Sequence, residues 1–263
     1  MTKRVLAMDI RKAICSKGFA LTAILVLLLY MLDGAEMLAG GGCDVLSLYM
    51  LISTIGSLHW LVPCVGVLAY GASYISERES HVTKYIQLRC GCLRYSISKI
   101  ISCFLSAALA TSLGIYAFLG IACAAGMPFA QAQFLTSYVS SADSISLFSL
   151  IRDGHYLPFV ILRVSLTGAT AGFWAVFGLA VSAVWPSKYI ALAAPAFVAY
   201  FKDNIYAWIG AFPTYVLKDI EWCEYPFPGV IGPVGLSMSI ILCLSTVFAG
   251  IFAWKVRWQA THE

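Results

Sequence analysis

Charged residues are scarce in this sequence: Asp, Glu, Lys and Arg make up only 11% of its 263 residues, whereas hydrophobic residues make up 60%. An average soluble domain has about 25% charged residues, and it needs them to cover the surface that faces water. The low charge therefore excludes an ordinary soluble domain, and the high hydrophobicity excludes intrinsic disorder. The composition predicts a membrane protein whose main solvent is lipid.

The chain also lacks the motifs of nucleotide binding and hydrolytic catalysis. It contains no G-x-x-x-x-G-K-[ST] phosphate loop, no H-E-x-x-H zinc motif and no G-x-S-x-G nucleophile motif, each of which carries a specific chemistry. Ionisable residues are rare in its long apolar runs, where ion-coupled carriers usually have Asp, Glu or His; Arg163 is the exception. We therefore expect neither an enzyme nor a self-powered carrier, and no cofactor, metal site or nucleic-acid partner.

Nine cysteines are present, and most of them lie within apolar runs. A free cysteine in such a place behaves as a small buried hydrophobe. Cys90 and Cys92 form a C-x-C pair, but no second Cys or His pair follows at the spacing of a zinc site. The spacing leaves a disulfide between Cys43 and Cys223 open, and the cysteines by themselves indicate no function.

Six apolar runs approach or exceed the roughly 20 residues that a spanning helix needs. They predict one all-α transmembrane domain over residues 1–263, and the fifth run is the shortest. A cleaved signal peptide is disfavoured because Asp33 and Glu36 follow the first run without a small-x-small cleavage site. The predicted spans are about 18–38, 51–75, 100–125, 158–184, 189–203 and 230–254.

Basic residues gather on one side of these spans. Thirteen of the 17 Lys and Arg residues fall in the N-terminal segment, the loop 76–99, the turn at Lys188 and the C-terminal end. The other side has Arg152, Lys202 and Lys218, together with nine of the 13 acidic residues. Because basic residues mark cytoplasmic loops, we expect a multi-pass protein of the cell membrane with both termini in the cytoplasm, which requires an even number of spans.

Three segments outside the spans have helical patterns. Residues 2–17 predict a basic amphipathic helix in the membrane interface, although an ordinary basic flank is the alternative. Residues 76–99 predict a short amphipathic helix that ends near Cys90 and Gly91 and faces headgroups or a cytoplasmic partner; solvated anchoring charge is the alternative. The aromatic-rich residues 205–217 predict an extracellular interfacial or re-entrant helical segment.

Small residues are spaced along the fourth span. Gly168 and Gly172 form a small-x-x-x-small pair, which Gly178 extends on the same helix. Such faces allow helices to approach closely. The pattern indicates helix packing, with a wall of the substrate path that slides between two states as the alternative.

The order of these features resembles that of type-2 ABC exporter permeases: a basic interfacial segment, two spans, a long charged cytoplasmic loop, and four more spans with an extracellular segment before the last. The local likeness is greatest at residues 71–79, GASYISERE, and at residues 187–191, SKYIA, in an inner turn. The first stretch is followed by Lys84-Tyr85, Arg89, Arg94-Tyr95 and Ser98-Lys99. The architecture covers essentially the whole chain, whereas these local patterns are loose.

The resemblance implies that the first cytoplasmic loop carries a coupling helix that docks on a separate ABC ATPase subunit, which binds the ATP. It also implies a second copy or a homologous permease subunit, with the substrate passing between the two. The apolar, glycine-lined spans suit an amphipathic or apolar substrate (peptide, drug or lipid). A non-transporting membrane sensor or structural subunit is the alternative. Carried over to this chain, the contacts of the loop with the ATPase are Glu77, Arg78, Glu79, His81, Lys84, Tyr85 and Arg89.

Overall fold

All regular elements are helical in the residues that the structure, a computed structural model, describes: 2–40, 43–55, 58, 61–80, 82–131, 147–209 and 230–262. The all-helical prediction is therefore confirmed for these residues. The elements are α1 (Thr2–Ile14), α2 (Lys17–Gly40), α3 (Val45–Ile55), α4 (Leu61–Val65), a 3-10 helix (Gly66–Ala69), α5 (Ser73–Glu79), α6 (Val82–Cys90), α7 (Cys92–Ala124), α8 (Phe148–Arg152), α9 (Tyr156–Val184), α10 (Lys188–Ile209) and α11 (Ile231–His262).

Four helices in the described part of the chain are long and apolar enough to cross a membrane, namely α2, α7, α9 and α11. They correspond to the first, third, fourth and sixth predicted spans, and they are compatible with a multi-pass membrane protein. The fifth predicted span falls in α10, whose apolar part, Lys188–Phe201, is shorter than a typical span. Residues 210–229, which include most of the predicted segment 205–217, lie outside the described residues.

The second predicted span is a series of short helices, from α3 through α4 and the 3-10 helix to α5, instead of one continuous helix. Glycines explain part of this irregular path. A Cβ atom on Gly66 would lie 2.9 Å from the Cβ of Ala171, and one on Gly71 would lie 2.7 Å from the carbonyl oxygen of Val67. The chain can therefore turn tightly and press against α9 only because these positions carry no side chain.

The central helix is α9, which packs against α7, α10, α11 and the 3-10 helix. Its side chains are buried nearly all round, as expected for a helix that is apolar on every face. In contrast, α2 exposes a row of large side chains that includes Leu21, Leu28 and Leu32. Exposed apolar rows of this kind are what lipid-facing helices present.

The beginning of α7 and the ends of α9 and α11 lie at the same end of the helical bundle, which we name the basic end. Helix α7 has 33 residues, so it is about 50 Å long, whereas the hydrocarbon core is about 30 Å thick. Helix α7 is therefore longer than one membrane crossing requires. Helix α1 packs against α7 at this end with Ala13 fully buried, while Met8 and Arg11 are exposed. Ala13 of α1 thus contacts protein, whereas Ile14 beside it is 38% exposed.

Candidate functional site

The segment from α5 through α6 into the first turns of α7 contains the residues that the sequence predicts as docking contacts. Gly91 separates α6 from α7 and has a φ of 82°, in the left-handed region that favours glycine. Its amide donates a hydrogen bond to the carbonyl of Gln87, and its own carbonyl accepts one from the amide of Tyr95. The turn at Gly91 thereby fixes the direction of α6 relative to α7.

A buried ion pair joins α5 to α7 at the basic end. Nζ of Lys99, which is 0% exposed, donates a hydrogen bond to Oε1 of Glu77, which is 6% exposed, over 2.6 Å. The same carboxylate accepts hydrogen bonds from Nζ of Lys12 at 2.7 Å and from the hydroxyl of Tyr95 at 2.8 Å. Lys99 also donates to the hydroxyl of Tyr70 at 3.0 Å. Burying an ion pair costs desolvation energy unless such further hydrogen bonds are made, and here they are.

A second carboxylate connects α1 to this pair. Oδ1 of Asp9 lies 3.8 Å from Nζ of Lys99, and Oδ2 of Asp9 accepts a hydrogen bond from the hydroxyl of Ser98 at 2.6 Å. Two lysines and two carboxylates thus meet where α1, α5 and α7 come together, and their formal charges cancel. We name this group the polar cluster; it consists of Asp9, Lys12, Tyr70, Glu77, Tyr95, Ser98 and Lys99.

The environment of Glu77 keeps its carboxyl group ionised. Burial raises the pKa of Glu77, but the charge of Lys99 and the hydrogen bonds from Lys12, Lys99 and Tyr95 together outweigh burial. The pKa of Glu77 is therefore lower than that of an ordinary glutamate. Because the favourable contacts come from α1 and α7, protonation of this one group would weaken the attachment of α5 to both helices.

We expect acid to destabilise the chain through Glu77. A group whose pKa is lowered by folding stabilises the protein fully above its unfolded pKa, about 4.3 for a glutamate, and loses this contribution as the pH falls through the lower folded pKa. Thermal unfolding of the purified chain should show a loss of stability as the pH falls from about 5 through about 4.3 and below, and this loss should be smaller in Glu77→Gln. Equal drops in the two proteins would contradict the assignment.

The outward side of α6 carries an apolar row. Val82 is exposed, Tyr85 is 69% exposed and Leu88 is 84% exposed. Their spacing of three residues places them along one side of the helix, and we name them the α6 row. Arg89 is exposed beside them. Because large apolar side chains at this exposure favour contact with another surface, the row is the part of the segment that is suited to binding.

The predicted docking residues divide into an inner and an outer group. Glu77 belongs to the polar cluster, so its carboxylate is occupied within the chain. Glu79 is exposed and accepts a hydrogen bond from Lys188, which begins α10. Of the others, Arg78 is half-buried, Tyr85 and Arg89 are exposed, the side chain of Lys84 is not among the described ones, and His81 lies outside the described residues.

The sequence did not reveal the partners of Glu77. Tyr95 and Lys99 belong to the region of local likeness to the permeases, but no pattern there joins them to Glu77, and Asp9 and Tyr70 carry no motif. The one available signal was Asp9, the only acidic residue in a basic N-terminal segment. An isolated acid among lysines and arginines indicates a charge partner, but the sequence does not say which one.

The three glycines of the fourth predicted span all lie at helix contacts. A Cβ atom on Gly168 would lie 2.5 Å from Oγ of Ser112, and one on Gly172 would lie 2.8 Å from Cδ2 of Phe104, both in α7. On Gly178, a Cβ atom would lie 2.9 Å from the carbonyl oxygen of Ala191 in α10. Close packing of α9 thus depends on these positions.

An apolar groove of about 290 Å³ runs between α7, α9 and α11, next to two of these glycines. Ser112 and Phe104, which Gly168 and Gly172 contact, are part of its wall. Its lining contains no charged side chain. The full lining is Phe104, Ala108, Leu109, Ser112, Ser165, Ala169, Met238, Ile241 and Leu242.

No group of three or more His, Cys, Asp or Glu side chains that could hold a metal ion occurs in the part of the chain that the structure describes. Cys43 is half-buried, and Cys223 lies outside the described residues, so the pair that the sequence left open is not described.

Comparisons of this chain with models of known protein families, with curated proteins and with solved structures find no match.

Proposed function

We propose that this chain is the membrane-spanning permease subunit of an ATP-driven exporter of the type-2 ABC class, and that α6 is the helix that docks on a separate ATPase subunit. The observation that carries the proposal is the exposed α6 row, with Tyr85 and Leu88 at its centre, held beside a buried polar cluster. A binding surface that transmits movement needs a firm attachment, and the polar cluster fastens α5, which precedes α6, to α1 and α7.

In this proposal the chain crosses the membrane six times. The four long helices supply four crossings, the irregular stretch over residues 51–75 supplies the second, and α10 supplies the fifth. Non-helical backbone is tolerated at membrane depth where protein covers it, and Gly66 is buried against α9. The basic end faces the cytoplasm in this proposal, because basic residues mark cytoplasmic loops, and the ATPase reaches α6 from that side.

The permease itself supplies no ATP-binding residue in this scheme. Closure of the ATPase on ATP moves α6, and α6 moves the spans because α5 and α7 are joined through Glu77 and Lys99. ATP binding can drive this change only because the complex binds it with different affinity in its two conformations. A second copy of the chain or a homologous permease completes the path for an amphipathic or apolar substrate in the cell membrane.

The docking assignment predicts that Tyr85→Ser combined with Leu88→Ser weakens binding to the ATPase by at least about tenfold, because exposed apolar anchors dominate such interfaces. The measurement is co-purification and affinity of the chain, in nanodiscs, with a co-expressed ATPase subunit that has a phosphate-binding loop. The matched control is Met8→Ser, which removes an exposed apolar side chain from α1 at the same end and should leave binding unchanged.

Two outcomes would contradict the proposal. If the double variant binds the ATPase as tightly as the original chain, α6 is not the docking helix. If the original chain binds the ATPase but never changes its rate of ATP hydrolysis in the presence of lipids, peptides or drugs, the chain is a sensor or structural subunit instead of a transporter.

A further inference from the structure

The last helix ends in a buried glutamine that contacts two other elements. Helix α11 has 32 residues and is about 48 Å long, so its final turns extend beyond the hydrocarbon core. Around Gln259 these turns are exposed: Trp258 is 43% exposed. Nζ of Lys255 lies 4.1 Å from the centroid of the Trp258 ring, and the ring of His262 stacks on it with centroids 4.7 Å apart. Gln259 itself is only 8% exposed.

Both ends of the Gln259 amide are used. Its Oε1 accepts a hydrogen bond from the hydroxyl of Tyr74 in α5 at 2.7 Å, and its Nε2 donates one to the carbonyl oxygen of Ala183 at 3.1 Å. A carbonyl can only accept, so the orientation of the amide is fixed. Ala183 is the penultimate residue of α9, and its carbonyl has no acceptor role within that helix. Gln259 therefore caps the end of α9 and contacts α5 at the same time.

Packing supports the same arrangement. The ring of Phe252 meets that of Tyr74 edge-on, with centroids 5.2 Å apart. Phe252, Val256 and Gln259 are all buried, and they follow one another at the spacing of one helix face. A leucine at 259 would fill the same space, but it would leave the buried Tyr74 hydroxyl and the Ala183 carbonyl without Gln259, which costs free energy. Gln259 thus holds α5, α9 and α11 together at this point.

We propose that Gln259 is a positioning residue that makes the end of the last span part of the unit that carries α6. The link rests on the proposed docking function of α6. Tyr74 lies three residues before Glu77 of the polar cluster, and α5 leads directly to α6. A shift of α6 is therefore passed to α11 through Tyr74 and Gln259, as it is passed to α7 through Glu77 and Lys99. The end of α11 is thus, besides α7, a second helix to which a movement of α6 is transmitted.

The test compares Gln259→Met, Tyr74→Phe and the double variant with Arg257→Gln, an exposed change two residues from Gln259 on the same helix. The first readout is amide hydrogen exchange of Ser73–Glu79 in nanodiscs. Loss of the hydrogen bond between Tyr74 and Gln259 should speed local opening of α5 by about fivefold in either single variant. The double variant should open α5 no faster than the singles, because both remove this bond; the bond from Gln259 to Ala183 of α9 is lost in Gln259→Met alone. Arg257→Gln should leave exchange unchanged.

The second readout is made on the complex with the ATPase. Gln259→Met should bind the ATPase as the original chain does, while the stimulation of ATP hydrolysis by a transported lipid, peptide or drug falls by about fivefold or more. A purely structural role would lower binding and stimulation together. Tyr74→Phe should reproduce the same separation, because it removes the other end of the same hydrogen bond.

The outcomes separate this inference from the proposed function. If Gln259→Met speeds exchange only within α11, or if the effects of the two single variants add, the bridge to α5 does not exist. If Gln259→Met forms the complex with the ATPase and the stimulation of ATP hydrolysis is unchanged, Gln259 does not position the end of α11 relative to α5. If exchange in α5 responds as expected but the original chain binds no ATPase, the bridge is established and the assignment of α6 as the docking helix falls.

Discussion

Replacing Lys99 with methionine is expected to lower the free energy of unfolding by about 3 kcal/mol, because removing one partner of a buried ion pair leaves an uncompensated charge. Nζ of Lys99 is 2.6 Å from Glu77 and fully buried, so water cannot take its place. The loss stays near the lower end of the expected range because Lys12 still contacts the same carboxylate oxygen at 2.7 Å. The measurement is the free energy of unfolding of the purified chain and of Lys99→Met in mixed micelles.

Two controls make this prediction specific to burial. Adding Glu77→Gln to the Lys99→Met variant should restore most of the lost stability, because a neutral amide no longer needs a counter-charge. Lys188→Met breaks the contact with Glu79, in which both side chains are about half exposed, and should cost less than about 1 kcal/mol. Equal losses of stability in Lys99→Met and Lys188→Met would show that the polar cluster does not fasten α5 to α1 and α7.

The long helices could be predicted because lipid imposes a simple rule: a spanning helix needs about 20 apolar residues in a row. Helices α2, α7, α9 and α11 obey it. The run 51–75 has the same composition, but Gly66 and Gly71 let the chain turn where another residue would clash with Ala171 or Val67. Composition averages over such positions, so it cannot distinguish a continuous helix from a broken one.

The site could be predicted only in part, for a different reason. The end of α6 at Cys90 follows from Gly91, the only glycine in the loop, whose φ of 82° suits no other residue as well. Glu77 and Lys99 are 22 positions apart in the sequence, and their pairing depends on how the chain brings the end of α5 to the first turns of α7. No local pattern encodes that, so Glu77 looked like a surface contact instead of a buried one.

The contact between α9 and α7 is expected to be the most sensitive to added volume. Gly172→Leu should lower the free energy of unfolding by about 3 kcal/mol, because overpacking forces the backbone apart. A Cβ atom there would already lie 3.0 Å from the carbonyl oxygen of Phe104, which cannot rotate away as a side chain can. Gly250→Leu on α11 is the matched control: nothing lies within 4 Å of its Cβ position, so stability should change by at most about 0.5 kcal/mol.

The same contact can be used to separate the two interpretations of the glycines. Gly172→Ala also displaces Phe104, which lines the 290 Å³ groove, so a loss of transport by this variant alone would fit either helix packing or the substrate path. Ser165→Phe narrows the groove from the exposed side of α9 without touching the contact at Gly172. If Ser165→Phe leaves stability unchanged and lowers transport, the groove lies on the substrate path. If it changes neither, the glycines serve packing, because the close approach of α9 to α7 then matters and the space beside it does not.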